Sequence, residues 1–357
     1  MGTHETQRDQ LCTEDGKKIS VSRTGVLYAV LSVLFVVIFL YSVTLGRFSL
    51  SFPELFNMFW RKMFHLPQTW TDAAEIALFN IRIPRIVAAI LVGGGLSAAG
   101  AVFQGLFKNP MVSPDLLGAS TGAGFGACVA ISLSFSTFGI QISAFICGIS
   151  AVLLAYGISK VVSRGSNMMF TLILTGMVIS TMFSSFISML KFVADPNNKL
   201  PAITFWLMGG LTGVNLEQVI ALIIPLTVAI VPILLLRYQL NIIAFGDQEA
   251  KTLGVNVRFV RMLLIVCSTL LTAGTVAIAG MVGWIGLIIP HIARLLVGPN
   301  YKHLLPLSIL IGGIFMMIVD DLARGLFTIE IPLGILTSLI GGPFFIYLLF
   351  KGRRSYE

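Results

Sequence analysis

The side chains best equipped for chemistry in this chain stand in "GMVGWIGLIIPHIARLLVGPN" (280–300), where Pro290, His291 and Arg294 interrupt an apolar run. An imidazole in such a place is a metal ligand, a proton carrier or part of a helix end. No second His, Cys or carboxylate stands beside His291 in sequence, so a metal would lack its ligand set. The residues favour a kinked helix end, with His291 and Arg294 bonding backbone carbonyls or lipid phosphate. Catalytic patterns are missing elsewhere. The chain holds no GxxxxGK[ST] loop, no HExxH, no nucleophile elbow and no Cys/His cluster. Its four cysteines (Cys12, Cys128, Cys147, Cys267) are scattered and read as packing residues. We therefore expect no enzyme, no metal and no cofactor bound by this chain.

Binding chemistry is better represented. "IRIPR" places Arg82 and Arg85 at the start of one apolar run, and Arg324 ends another within "DDLARGLF". Read as residues, all three snorkel to phosphate, and Arg324 pairs with Asp320 at i,i+4. In "MMFTLILTGMVISTMFSSFISML" (168–190), Met177, Thr181, Ser184 and Ser188 share one helix face of hydroxyls and a thioether. Such a face either lines a conduit or glues membrane helices. "NPMVSPDLLGASTGAGFGA" (109–127) begins with an irregular turn at Asn109 and Pro110, and Ser113 or Asp115 can cap the helix after it. Gly118, Gly122 and Gly126 then repeat every four residues, a pattern for close helix packing.

These groups sit in a chain of 357 residues that is 56% hydrophobic and only 11% charged. A soluble domain carries about 25% charged residues, so the chain is an integral membrane protein. Charges mark the ends of spans, because each costs roughly 3 kcal/mol at a bilayer centre. Runs from Arg23 to Arg47, Arg85 to Lys108, Asp115 to Lys160 (two helices, turn near Ser134–Gly139), Arg164 to Lys191 and Glu217 to Arg237 give six spans. Arg261 to Arg294 (two, broken around Gly280–Gly283), Leu304–Phe327 and Ile331–Phe350 complete ten. The runs lack the alternation of a membrane barrel. The expected fold is all-α with about ten transmembrane helices and both termini cytoplasmic. With that orientation 16 of the 24 Lys and Arg fall inside, so the net charge of +8 follows the positive-inside rule and requires no nucleic acid.

The chain divides into an uncleaved polar tail (1–23), one transmembrane domain (24–350) and a short cytoplasmic tail (351–357). Residues 192–210 read as a turn and a short helix dipping into the outer mouth. Residues 237–261 read as an inner loop of two short helices hinged near Gly254. A weak echo between "AGAVFQGLFKNP" (99–110) and "AGMVGWIGLIIP" (279–290) raises an inverted repeat.

"RIPRIVAAILVGGGLSAAGAVFQGLFKNPMVSPDLLGASTGAG", "GWIGLIIPHIARLLVGPNYKHLLPLSILIGG" and "EIPLGILTSLIGGPFFIYLL" closely resemble the signature regions of FecCD-type permeases. These are the membrane subunits of ABC importers for iron-siderophores, haem and cobalamin, and the resemblance runs from about Arg82 to the end. It implies that Arg82, Arg85 and Arg324 form pockets for glutamates of an extracytoplasmic substrate-binding protein. It implies that "GDQEAKTLGV" (246–255), with Gly246, Glu249, Ala250, Lys251 and Gly254, docks one of two ATPase subunits that carry ATP and Mg. It also implies that the helix of Met177 to Ser188 lines the path, that a second permease subunit completes the dimer, and that Asn109, Pro110, Pro290 and His291 belong to structural signatures. Asp321 beside Asp320 departs from the pattern and puts the Arg324 pocket in doubt.

The function expected is the multi-pass permease subunit, in a bacterial cytoplasmic membrane, of an importer for a ferric siderophore, with haem or cobalamin as alternatives. An ion-coupled secondary transporter would need ionisable groups well inside the spans, where the charge spacing places few. A membrane scaffold or receptor would not need a polar conduit face.

Overall fold

Long apolar runs in a bilayer must satisfy their own backbone groups, and here they do so as helices. The computed structural model describes residues 4–46, 51–163, 168–327 and 329–353. Arg47, Arg164 and Arg354 of the charge assignment lie outside them, as do the first three residues of one tail and the last four of the other.

Helix α1 (His4–Thr44) carries the first apolar run over residues 23–44. Helix α2 (Phe52–Met63) is short, held at its start by a 2.8 Å bond from the Ser51 N–H to Glu54, with Phe52, Phe56, Phe59 and Trp60 exposed. Helix α3 (Asp72–Glu75) begins a continuous rod that passes through a π-helical stretch (Ile76–Arg82) into α4 (Ile83–Leu106). Pro84 has no N–H for the Asn80 carbonyl one turn back, and the ladder widens here, the Ile83 N–H reaching Leu78.

Helix α4 is the axle of the fold: 20 of its 24 residues are buried. Glycine permits this. A Cβ on Gly93 would collide with the Gly312 carbonyl, and one on Gly100 with that of Gly286, so neighbouring backbones lie directly against the axle. The Gly286 carbonyl is also the one that Pro290 leaves without its helical partner.

Around α4 stand α5 (Ala119–Ser132), α6 (Thr137–Val162), α7 (Met168–Val193), α8 (Lys199–Met208) and α9 (Leu216–Leu235). The 237–261 segment forms the two short helices expected of it, α10 (Arg237–Phe245) and α11 (Asp247–Thr252), before α12 (Val257–Ala279), α13 (Ile285–Val297), α14 (Tyr301–Gly325) and α15 (Leu333–Arg353). Among the described residues seven helices are long and apolar enough to cross a membrane, and α5, α13 and the apolar part of α15 are shorter. These ten coincide with the ten runs inferred from charge spacing. The echo does not extend to the backbone: residues 99–106 continue a helix, whereas 280–284 interrupt one.

Several helices end inside the bundle. The Gly210 N–H bonds the Ala279 carbonyl at 2.8 Å and the Leu333 N–H bonds the Gly209 carbonyl at 2.9 Å, which joins the end of α8, the 280–284 break and the start of α15. The turn before α5 also lies deep. Gly118 faces Ser180 at the middle of α7, and Gly286 packs on both Pro114 and the Leu96 carbonyl. Leu96 is 11 residues along α4 from Arg85, about 16 Å at helical rise. Asp115, expected at a membrane boundary, therefore sits near mid-depth.

Candidate functional site

Two ends of the bundle carry the expected binding residues. They are opposite ends, since Arg82 and Arg85 lie at the start of α4 whereas Lys108, just past its end, is 3.8 Å from Asp247 of α11.

At the first end the three arginines are turned inward. Arg85 Nε donates to both oxygens of Asp320 (2.9 and 3.2 Å), and its Nη1 reaches Glu330 at 2.9 Å. Arg324 Nε lies 3.1 Å from Asp320, its Nη2 bonds Asp321, and its Nη1 donates to the Leu45 carbonyl at 3.2 Å. The Ser42 hydroxyl donates to Asp321, and Arg82 Nη1 donates to the Val43 and Thr44 carbonyls (2.9 and 3.3 Å). Arg82 and Arg85 are only 4% and 6% exposed. Exposed guanidinium forks awaiting a partner's glutamates were expected; instead Arg85 and Arg324 pair with three carboxylates, Arg82 donates to backbone carbonyls of α1, and the group ties α1, α4 and α14 together. The i,i+4 pair of Arg324 with Asp320 read from the residues is present, and Asp321 occupies Arg324 as its departure from the pattern suggested.

Glu330 is the member of this group nearest water. It borders a cavity of about 720 Å³ shared with Arg85, Trp206 and Thr212. Burial alone would raise its carboxyl, but the Thr212 hydroxyl and the Arg85 and Arg324 charges hold it below the ordinary range.

At the other end α10 and α11 form a platform. The hinge between them is Gly246, not Gly254, which instead turns the chain from α11 into α12 at φ +79°. A Cβ on Gly246 would strike the Glu249 carboxylate, which folds back over it. Ala250 is fully buried against its own chain, so it offers no small surface to a partner. The exposed groups are Glu249, Lys251 and Gly254, with Tyr238, Phe245 and Leu253. Of these, Glu249, Tyr238, Phe245 and Leu253 edge a groove of about 1170 Å³ that includes Arg237 and Lys302. Asn241 fastens the platform to α14, bonding Asn300 and accepting from the Tyr301 N–H at 2.9 Å.

Asp247 anchors α11. Its 2.8 Å bond from Arg261 holds the carboxyl below its ordinary value against the opposing effect of burial, helped by the Arg261, Lys108 and Lys251 charges. A depressed folded value means the contribution is present above the unfolded pKa of about 4 and is lost as pH falls through the folded one. The melting difference between the native chain and Asp247→Asn should therefore be present at pH 7, no more than about 2 °C for so exposed a pair, and smaller at about pH 3, because it is lost progressively from about pH 4 down through the depressed folded value. Melting curves of the purified chain at the two pH values check this.

Met177, Thr181, Ser184 and Ser188 share the exposed face of α7, while Leu172, Gly176, Ile179, Phe183 and Ile187 are buried on the other. Thr181 and Ser188 donate to the carbonyls four residues back, at 2.9 and 3.0 Å. In α5, Gly122 and Gly126 receive the α6 backbone at Cys147 and Ser143. Gly118 does not share their face: at φ +87° it caps the helix and packs on α7.

In the signature regions, Asn109 accepts from the Met111 N–H at 2.9 Å beside the exposed Pro110. Ser113 caps the turn at 114–117, while Asp115 accepts from the hydroxyls of Ser113 and Ser120. Arg294 donates to the Gln104 side-chain oxygen at 3.1 Å, and the Gln104 amide donates in turn to the Leu287 carbonyl. The half-buried His291 ring has no hydrogen-bond partner among the described residues, and no group of three His, Cys, Asp or Glu among them could hold a metal ion. Sequence reasoning passed over Glu330 and Gln104, both of which act through residues distant along the chain.

The model of the FecCD transport family matches residues 34–351. The molybdate import system permease protein MolB of Haemophilus influenzae is 40% identical over 91% of this chain and 95% of its own length. A probable iron chelatin transport system permease protein of Helicobacter pylori is 38% identical over 79% and 85%. A solved inward-facing ABC transporter of the metal-chelate type superimposes with a TM-score of 0.81 at 38% identity, covering 92% of this chain and 99% of that one.

Proposed function

Because the chain belongs to the FecCD transport family, we propose that, as the membrane subunit of an ABC importer, it carries a ferric siderophore across the bacterial cytoplasmic membrane. The import reading is supported by the similarity to transport-system permeases over 91% and 79% of this chain, and the cargo by the iron chelatin permease among them. The chain is not itself an enzyme; nucleotide hydrolysis belongs to a separate subunit.

In this reading two ATPase subunits, holding ATP and Mg, grip the α10–α11 platforms of two permease subunits. Phe245 and Leu253 supply apolar contact and Glu249 and Lys251 the register. A substrate-binding protein delivers cargo at the end bearing Glu330, and the exposed face of α7 lines the path. Since Arg82, Arg85 and Arg324 are occupied internally, they support that docking end as its frame. Haem and cobalamin are alternative cargoes within the same mechanism. Molybdate is a second reading, favoured by the 40% identical relative. Asp115 near mid-depth removes one argument against an ion-coupled transporter, but the family assignment outweighs it.

The test is affinity capture of the tagged chain from its native membranes in mild detergent, with uptake of radiolabelled ferric siderophore in parallel. The expected result is recovery of a Walker-motif ATPase, and uptake abolished by Ser184→Trp. Recovery of a second permease or of none separates heterodimer from homodimer. Capture of this chain alone, with uptake indifferent to Glu249 substitutions, overturns the reading, and uptake of molybdate in place of the siderophore overturns the cargo.

A further inference from the structure

Asp115 lies at the wrong depth for a helix cap at a membrane boundary. It borders a second cavity, of about 680 Å³, with Ser120, Thr121, Met208, Met281 and Ser338 among its lining residues. The cavity forms where four chain segments change course: the turn before α5, the end of α8, the 280–284 break and the start of α15. Helices that stop inside a membrane leave backbone groups unpaired, and irregular backbone at that depth is tolerated where it is buried in protein or borders a wet cavity.

The charge at this cavity is one-sided. Asp115 accepts hydrogen bonds from the hydroxyls of Ser113 and Ser120. No described Lys, Arg or His pairs with it, unlike Asp320 and Asp321, which are matched by arginines. Every other residue lining the cavity is uncharged. Thr121 and Ser338 already give their protons to the Gly118 and Gly334 carbonyls, at 3.2 and 2.7 Å, which leaves their lone pairs free to accept. Thioethers of Met208 and Met281 also accept, weakly. The surface facing the cavity thus presents a carboxylate and acceptor oxygens. An ionisable group retained at this depth is costly unless it faces water or a ligand.

We propose that the Asp115 cavity is a fixed-negative selectivity site on the cargo path, favouring cationic or hydrogen-bond-donating cargo and disfavouring a free oxyanion. Its place on the cargo path rests on the import reading; its charge preference does not. A chelate that offers hydroxyl, amide or ammonium donors suits this lining, whereas a bare oxyanion meets a carboxylate with no cation to offset it. The site therefore favours the siderophore over the molybdate reading.

The test uses single added thiols, Thr121→Cys or Ser338→Cys, in the full chain with its ATPase partners in nanodiscs. Rates of modification by a cationic and an anionic methanethiosulfonate are compared, with the chain lacking the added thiol as background. A unit charge roughly 8 Å away across a wet cavity, at an effective dielectric constant of about 60, separates cation from anion by about tenfold. The cationic preference, relative to a small free thiol, should thus be about tenfold, should fall to within about twofold in Asp115→Asn, and should persist in Asp115→Glu. If Asp115→Asn does not fold, the native Asp115 background still decides, because about 1 M salt should collapse the preference. A preference indifferent to both Asp115→Asn and salt, or modification of neither thiol by either reagent, overturns the proposal. Loss of siderophore uptake with the preference intact counts against the cargo reading alone.

Discussion

Replacing Asp320 with alanine is expected to destabilise the chain by about 3–5 kcal/mol, the range for removing one partner of a buried ion pair. Arg85 then keeps half-exposed Glu330 and Arg324 keeps Asp321 as carboxylate partners, and with Arg82 the group carries one positive charge in excess beside a position that was 1% exposed. A melting midpoint lower by roughly 10 °C in detergent is the expected reading. The double replacement Arg85→Met with Asp320→Leu removes one charge of each sign and leaves the cluster neutral. It should recover more than half of the loss, since apolar residues of similar volume replace buried pairs at little cost. If Asp320→Ala melts with the native chain, the cluster is hydrated in the membrane and its arginines are available to a docking partner after all.

The second large effect is steric. Gly100→Leu places a side chain where the Gly286 carbonyl already lies, and neither backbone can yield without separating α4 from α13. Overpacking costs about 1–3 kcal/mol where side chains can adjust; here the obstacle is backbone, so the expected outcome is no monodisperse peak on fluorescence-detected size exclusion. Gly157→Ala in α6 is the control. Nothing lies within 4 Å of its added Cβ, and alanine in a helix should be neutral or better by up to about 1 kcal/mol. Equal yields from the two variants would contradict the close approach of α4 and α13.

The span count was legible because insertion cost is paid residue by residue, and a charge such as Lys108 or Arg261 ends a run whatever its neighbours do. The break at Gly280–Gly283 was legible for a similar reason, since glycines cluster there. Asp115 misled because the same rule reads any carboxylate as a boundary; a cavity large enough to keep it solvated is made by four segments far apart in sequence. Arg82 and Arg85 misled in another way. Their position at the start of an apolar run suggested exposure, but the rod begins at Asp72, ten residues before Arg82, and Asp320 and Glu330 approach from more than 230 positions away. Only pairings within one helix, as for Arg324 with Asp320 and Asp321, lie within the reach of one sequence window. The resemblance placed Ala250 on a docking surface, although which face of a six-residue helix is covered depends on its neighbours α10 and α12.

The short helices also bear on how the chain enters the bilayer. At about 1.5 Å per residue, α8, α13 and α5 reach only roughly 15–21 Å of a hydrocarbon core near 30 Å, so none can partition into lipid alone with its ends satisfied. Synthesis delivers α5 and α8 well before α12 to α15, which supply the backbone contacts at Ala279 and Gly209. Until α12 to α15 (residues 257–353) have emerged, the end of α8 lacks the backbone partners it bonds in the folded chain. Topogenesis of this chain is therefore a two-stage affair, in which full-length helices fix the frame and α8 completes its bonds once α12 and α15 arrive.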